Sequence, residues 1–491
     1  MENQGFRIYT AGQVLTSGAK RGGGRIAIQY LEDHEIVNVS YESFIRDIRQ
    51  VVLSIKEHQM DGTHIAVLGD NNYKWLITMF GILCSGSVAV LIDKNLTSAD
   101  VESQLLHAEV KTIFYGEKYN SIVDKACAAG GISKICFEKT EYQEFLSYSN
   151  ADNVEFCRDE NRLCLLLFTS GTTGKSKGVM ILQKNIAFAA MEAPMQYQEK
   201  TDDKVIVAVP FFHAFGLFAL FESIYRGKTV CLNEDIKYVL RDCKKMEPNI
   251  MYTVPMIAET SLRQLQAARR SDRGIGLERL RAILIAGAAL GNPEETIQAY
   301  EKLGVCLLVC YGLTETLLVS TECDDCRRMN SVGKTFGVCE VKLEEGEIWV
   351  KGNSVCAGYF KNQAAVNESF SGGWFCTGDL GKIDKDGFIY ITGRLKNLII
   401  RDDGNNVSPE ELEQKIMKMM PYITEVLVWQ DGKYIVAEIY CECLNDDVLK
   451  KKLETDMDEL NQNLPMYKMI DKYMIRDIPF IRTNSKKIRR R

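Results

Sequence analysis

The segment Phe168-Thr-Ser-Gly-Thr-Thr-Gly-Lys-Ser-Lys-Gly-Val-Met180 constrains this chain more than any other. It follows Arg162-Leu-Cys-Leu-Leu-Leu-Phe168, an apolar run of strand length without helical alternation, which reads as a buried strand of a parallel sheet. A strand that ends in a loop rich in glycine and hydroxyls is suited to holding phosphate. Gly171, Gly174 and Gly178 let the backbone turn its N–H groups toward an anion. Thr169, Ser170, Thr172 and Thr173 add hydroxyl donors, and Lys175 and Lys177 add positive charge. The Walker spacing G-x-x-x-x-G-K-[ST] fails, because Thr169 stands where its first glycine belongs. The loop is expected to bind a polyphosphate by another geometry.

Around this loop, short β-rich runs alternate with helical ones. Phe44, Ile45, Ile48, Val51, Val52 and Ile55 mark one face of a helix within residues 41–60. His64–Leu68, Lys111–Tyr115, Val205–Val209, Ile250–Val254, Ala282–Ile285 and Val305–Val309 read as strands. The alternation predicts an α/β fold with covered sheets, and ligands in such sheets bind at the carboxyl ends of strands. Those ends carry Pro210-Phe-Phe-His-Ala-Phe-Gly216, Ala286-Gly-Ala-Ala-Leu290 and Cys310-Tyr-Gly-Leu-Thr-Glu-Thr316. Residues 1–30 give no clear element, and Arg21-Gly-Gly-Gly-Arg25 is expected to be a loop before Ile26–Tyr30.

Composition narrows the partners. A net charge of −6 argues against nucleic acid as the main ligand. No apolar stretch is long enough for a transmembrane helix. Sixteen cysteines and no export signal point to a reducing cytoplasm rather than to disulfides. Cys323-x-x-Cys326, lacking a second pair, is a weak zinc or redox signal beside the plain reading as a loop.

The glycine-rich segment resembles the signature T-S-G-T-T-G-K-P-K-G of the adenylate-forming superfamily, with Ser176 in place of proline. Further motifs follow in the superfamily's order. Tyr311-Gly312-Leu-Thr-Glu-Thr316 is similar to the motif whose aromatic ring stacks on adenine; the resemblance assigns Thr314 to the α-phosphate and Glu315 to Mg²⁺. Gly287, Ala288 and Ala289 resemble the adenine and acyl-pocket wall, and His213 matches a histidine bordering the acyl and thiol approach. Trp374-Phe-Cys-Thr-Gly-Asp-Leu380 resembles the T-G-D motif, which gives Asp379 the ribose hydroxyls. In Gly393-Arg-Leu-Lys-Asn397, Arg394 would reach ribose and phosphate, and Lys396 falls on the hinge. The chain ends on Thr483-Asn-Ser-Lys-Lys-Ile-Arg-Arg-Arg491, which puts Lys487 at the catalytic lysine and Lys486 where most members carry glycine.

The resemblance implies a large N-terminal domain (residues 1–394) that binds AMP and the acyl group. A small α+β lid (residues 395–491) would carry Lys487 and present Gly404 to a pantetheine arm. Within that lid, Ser408-Pro-Glu-Glu411 reads as a helix start closed by a capping box. Val426–Val428 and Tyr434–Ile439 pair around Asp431-Gly432, and a helix near 446–461 and a strand at 473–478 complete the unit. The implied reaction joins a small-molecule carboxylic acid to a thiol through an acyl-adenylate, using ATP and Mg²⁺. Residues 347–397 most resemble the medium- and long-chain fatty acid branch of acyl-CoA synthetases. Two acceptors stay open, coenzyme A and the phosphopantetheine of a separate carrier protein. A non-catalytic ATP- or acyl-binding relative is a third reading, opposed by Lys487, Glu315 and Asp379.

Overall fold

The computed structural model describes residues 9–169, 176–193, 200, 202–271, 277–290, 292–323, 327–337, 339–401, 405–441, 447–482, 488 and 490. Strand alternation organises its interior. Ile65 and Val67 face one apolar core while Ala66 and Leu68 face another; Val205 and Val207 share the first core while Ile206 and Ala208 face a third. Successive side chains of a strand point to opposite faces, so each of two large sheets is covered on both sides. The shared core between them holds helices Ala11–Gly22, Tyr41–Glu57, Tyr73–Ser85, Gln183–Glu192 and Ala214–Tyr225. The result is an α/β arrangement of two covered sheets around a common helical layer.

One of these sheets has six strands, with Leu163–Thr169 between Val88–Ile92 and Lys177–Leu182. Leu163–Thr169 is parallel to the former and antiparallel to the latter. The buried strand is therefore parallel on one side only, because the chain returns as a hairpin with Thr169 opposite Lys177. A Walker loop leads into a helix; this one joins two antiparallel strands. The other large sheet has nine strands, and its parallel centre contains Cys306–Tyr311, Ala282–Ile285, Ile250–Thr253, Lys204–Val207 and Thr229–Leu232. A third sheet carries Trp374–Ile383 paired antiparallel with Ile389–Arg394.

The N-terminal residues contain a helix that the sequence did not disclose, Ala11–Gly22, so Arg21 ends a helix rather than starting a loop. Thr10 and Gln13 close a capping box at its start. Helix Ala214–Tyr225 is buried nearly all round, as an apolar helix between two sheets must be. It also carries the buried Glu222, which Arg226 meets at 3.1 Å, Lys228 at 3.2 Å and the Tyr252 hydroxyl at 3.2 Å. Burial pushes the Glu222 carboxyl up, but the two cations outweigh it and hold the group below its usual range.

A separate core runs from Ile399 to Tyr473 and includes no residue before Ile399. It joins a three-stranded sheet, Glu425–Asp431, Tyr434–Tyr440 and Lys472–Arg476, to helices Pro409–Met419 and Asp447–Gln462. This is the small C-terminal domain. Ser408 caps its first helix as expected, accepting from the Glu411 N–H at 3.3 Å. The capping box is not closed, because the Glu411 carboxylate is taken by Lys468 at 2.6 Å and Lys415 at 3.0 Å. Cys323 is disulfide-bonded, against the expectation of free thiols; the other described cysteines are free. Among the described residues no helix is long and apolar enough to cross a membrane, and no cluster of three metal-binding side chains occurs.

Candidate active site

The expected phosphate residues Ser170, Gly171, Thr172, Thr173, Gly174 and Lys175 lie outside the described residues, as do Gly404 and Lys487. Thr169 and Lys177, at the loop's two flanks, face each other in register. The Lys177 side chain is largely buried; its ammonium lies 5.1 Å from the centre of the Tyr359 ring and 3.8 Å from the Glu368 carboxylate.

The Tyr311–Thr316 motif begins as strand Cys306–Tyr311 ends. At Gly312 a side chain would collide with the carbonyl of Leu317, so the turn closes only on glycine. The Thr316 hydroxyl accepts from the Leu313 N–H at 3.0 Å, and Leu317 leaves the turn with φ +58°. Glu315 is half-buried there. Burial pushes its carboxyl up, against a hydrogen bond from Tyr359 and the positive fields of Arg394 and Lys177. The Tyr359 hydroxyl donates to Glu315 Oε1 at 2.9 Å. Thr314 is partly buried in the same turn.

Asp379 lies on Trp374–Ile383 directly opposite Arg394 of Ile389–Arg394. Its Oδ1 meets Arg394 Nε at 2.6 Å, and its Oδ2 accepts from the Tyr311 hydroxyl at 2.8 Å. The Asp379 N–H donates to the Thr377 hydroxyl, which itself donates to the Ile348 carbonyl at 2.6 Å. Burial, then the nearby Asp379 charge, raises the Tyr311 hydroxyl well above its usual value, so it donates and stays neutral. Tyr311, Asp379 and Arg394 thus form one connected chain, and the Arg394 charge also reaches Glu315.

The other expected residues stand apart from that chain. Gly287, Ala288 and Ala289 are exposed just past the carboxyl end of Ala282–Ile285. His213 is the residue before helix Ala214–Tyr225, its ring 4.6 Å from Phe212. That helix contributes Leu217, Phe218 and Phe221 to a small apolar cavity completed by Ile186, Ala189 and Leu317. Lys396 is exposed on the short turn Leu395–Asn397. Partial desolvation, then the neighbouring Arg394, lowers its ammonium pKa. Sequence reasoning assigned no role to Tyr359, Thr316, Thr377 or the cavity. Thr316 and Thr377 lay inside motifs already quoted, and the Thr377 hydroxyl two residues before Asp379 was an available signal.

Fold and site together define an AMP-forming acid–thiol ligase of the adenylate-forming superfamily. A family model for AMP-binding enzymes matches residues 15–360, and the chain belongs to that family. Among curated proteins it is similar to a 2-succinylbenzoate–CoA ligase of Bacillus licheniformis, 29% identical, with 73% of this chain and 74% of the relative covered. A 2-succinylbenzoate–CoA ligase of Listeria monocytogenes is also 29% identical, with 82% and 84% covered. The solved structure of O-succinylbenzoate CoA synthetase from Bacillus subtilis with its acyl-adenylate intermediate superposes with a TM-score of 0.80 at 26% identity, covering 97% of this chain and 96% of that one. These relatives are not fatty acyl-CoA synthetases, which corrects the branch expected from residues 347–397. A Mycobacterium tuberculosis fatty acyl CoA synthetase, at 23% identity and TM-score 0.76 over 98% and 97% of the two chains, shares the fold.

Proposed function

We propose that this enzyme activates an aryl carboxylic acid of the 2-succinylbenzoate kind with ATP and passes the acyl group to coenzyme A. The observation that carries the reading is the connected set Tyr311, Asp379 and Arg394, with Glu315 within the Arg394 field, in a chain of the AMP-binding family. The named relatives supply both the acid and the acceptor, and coenzyme A displaces the carrier-protein alternative.

The chemistry needs no general base. A carboxylic acid titrates near pH 4, so the nucleophile is already ionised at neutral pH. Its oxygen bonds to the α-phosphorus of ATP as pyrophosphate leaves; the thiol then bonds to the acyl carbon as AMP leaves. An ionised carboxylate accepts at several positions, and Asp379 would accept the ribose hydroxyls in addition to Tyr311 and Arg394. Tyr311 and Thr314 border the nucleotide, and Gly287 to Ala289 wall the adenine side. The residues also fit Mg²⁺. Glu315 offers a partly buried carboxylate whose Oε1 is held by Tyr359, while Oε2 takes no hydrogen bond from another described side chain. When bound, Mg²⁺ neutralises charge on the phosphates. Arg394, Lys177 and Lys487 add the fixed cations of this chain.

The domain boundary is placed between residues 394 and 395. Lys396 lies on the turn joining the last strand of the third sheet to a core that begins at Ile399, which suits a hinge. The small domain would turn there between the two half-reactions.

Pyrophosphate release with ATP, Mg²⁺ and coenzyme A tests this reading, using 2-succinylbenzoate, benzoate and a medium-chain fatty acid. The expected result is AMP, pyrophosphate and a thioester with 2-succinylbenzoate. Turnover of the monoacids alone would transfer the reading to them, and ADP as the product would overturn the enzyme class.

A further inference from the structure

Residues 356–360 carry no catalytic motif, yet they bind to both halves of the phosphate end of the site. On one side they pair with the strand that leaves the phosphate loop. The Ala357 N–H donates to the Met180 carbonyl at 2.8 Å, the Met180 N–H to the Gly358 carbonyl at 2.9 Å, and the Phe360 N–H to the Gly178 carbonyl at 2.8 Å. Val179 and Tyr359 form the bridge between these bonds. On the other side, the Cys356 N–H donates to the Glu315 carbonyl at 2.7 Å. The segment therefore ties Lys177 and its strand to the Glu315 turn through the backbone.

The Tyr359 side chain repeats the connection. Its hydroxyl donates to Glu315 Oε1 at 2.9 Å. Its ring faces the Lys177 ammonium at 5.1 Å, packs edge-on against Phe370 at 6.3 Å, and is only 5% exposed. A buried ring gripped by backbone pairing and by Phe370 has little rotamer freedom. The carboxylate that it holds is correspondingly fixed in direction.

We propose that Tyr359 is a positioning residue: it orients the Glu315 carboxylate toward the divalent cation and holds Lys177 at a set distance from it. This rests on the reading of Glu315 as the cation's carboxylate. Phenylalanine at 359 keeps the ring, the Phe370 contact and the Lys177 contact, and removes only the hydroxyl. An ionised acceptor that loses one such donor gives up about a tenfold preference for its set geometry.

The test compares Tyr359→Phe, Glu315→Gln and the double variant in the full chain. Mn²⁺ affinity is read by electron paramagnetic resonance in the presence of a non-hydrolysable ATP analogue. The Mg²⁺ dependence of ATP–pyrophosphate exchange is read beside it, with thermal midpoints to verify folding. Tyr359→Phe is expected to weaken Mn²⁺ and raise the Mg²⁺ requirement about tenfold, with a smaller change in kcat at saturating Mg²⁺. The double variant should lose no more Mn²⁺ affinity than Glu315→Gln does. If Glu315→Gln weakens Mn²⁺ and Tyr359→Phe does not, the positioning role is overturned. If Glu315→Gln leaves Mn²⁺ affinity unchanged, the reading of Glu315 itself falls, and this inference with it.

Discussion

Arg394 and Asp379 are cross-strand partners, and their side chains meet at 2.6 Å while the other Asp379 oxygen holds Tyr311 at 2.8 Å. The carboxylate is 3% exposed, so its charge is balanced by Arg394 rather than by water. Asp379→Asn keeps the shape and removes the ionised acceptor. With a charged hydrogen bond worth about 1.5–3 kcal/mol, kcat/KM for ATP should fall about 10- to 100-fold, mainly through KM. ATP–pyrophosphate exchange over a range of ATP concentrations checks this. An unchanged KM for ATP would remove Asp379 from the nucleotide site.

The motif loops were legible because each interrupts a strand at its carboxyl end, where bulky apolar residues give way to small or polar ones. Their partners were not. The run Arg162–Phe168 reads as buried on both faces, which is compatible with parallel or antiparallel neighbours, and only the return of Lys177–Leu182 decides. Helix Ala11–Gly22 escaped notice because Gly12, Gly18 and Gly22 lower its helix propensity. Packing requires them: a Cβ at Gly12 would lie 2.7 Å from Phe156 Cβ, and one at Gly22 would lie 2.6 Å from the Tyr41 ring. Tyr359 acts from a segment with no periodic pattern, and the cavity draws on three separate stretches of chain. Neither leaves a local signal in the sequence.

Gly312 is a direct probe of the Tyr311–Thr316 turn. Its Cβ would collide with the Leu317 carbonyl oxygen and approach Leu317 C and Leu318 Cα at 3.0 Å, all of them backbone atoms that cannot swing aside. Gly312→Ala should cost about 1–3 kcal/mol of stability, the range for overpacking. It should also displace Glu315, three residues on. A lowered thermal midpoint together with a loss of pyrophosphate exchange larger than the loss of folded protein is the expected outcome. Wild-type values in both would contradict the close approach.

Glu322 gives the fold a pH dependence of definite sign. It is buried, and burial raises its carboxyl to about 7 against the pull of the Val309 N–H and Arg327. The folded state then holds a proton that the unfolded chain releases near 4.5, the ordinary value for a glutamate carboxyl. Stability therefore falls as pH rises from there to about 7, and levels off above it. Glu322→Gln keeps an oxygen for the Val309 N–H and removes the charge. It should stabilise by up to about 3 kcal/mol at pH 8 and have little effect at pH 4.5. Urea midpoints at the two pH values measure the difference, and equal shifts at both would show that the carboxyl does not titrate there.

Lys487 and Lys396 are expected to separate the two half-reactions. Lys487, in the terminal motif, is proposed to supply positive charge while pyrophosphate leaves; Lys487→Ala should then slow adenylation about 10²- to 10³-fold, the cost of losing one such donor. Thiol transfer from preformed adenylate should be less affected, because the leaving group is then AMP and, on the proposed hinge, the small domain would have turned. Lys396→Pro fixes the backbone at the turn between Arg394 and Ile399, so it should leave pyrophosphate exchange near normal and block thioester formation. Measuring both half-reactions on both variants gives a crossed pattern if the small domain alternates between two positions. Equal impairment of each half-reaction in each variant would mean that one fixed arrangement serves both, and the hinge at Lys396 would have to be given up.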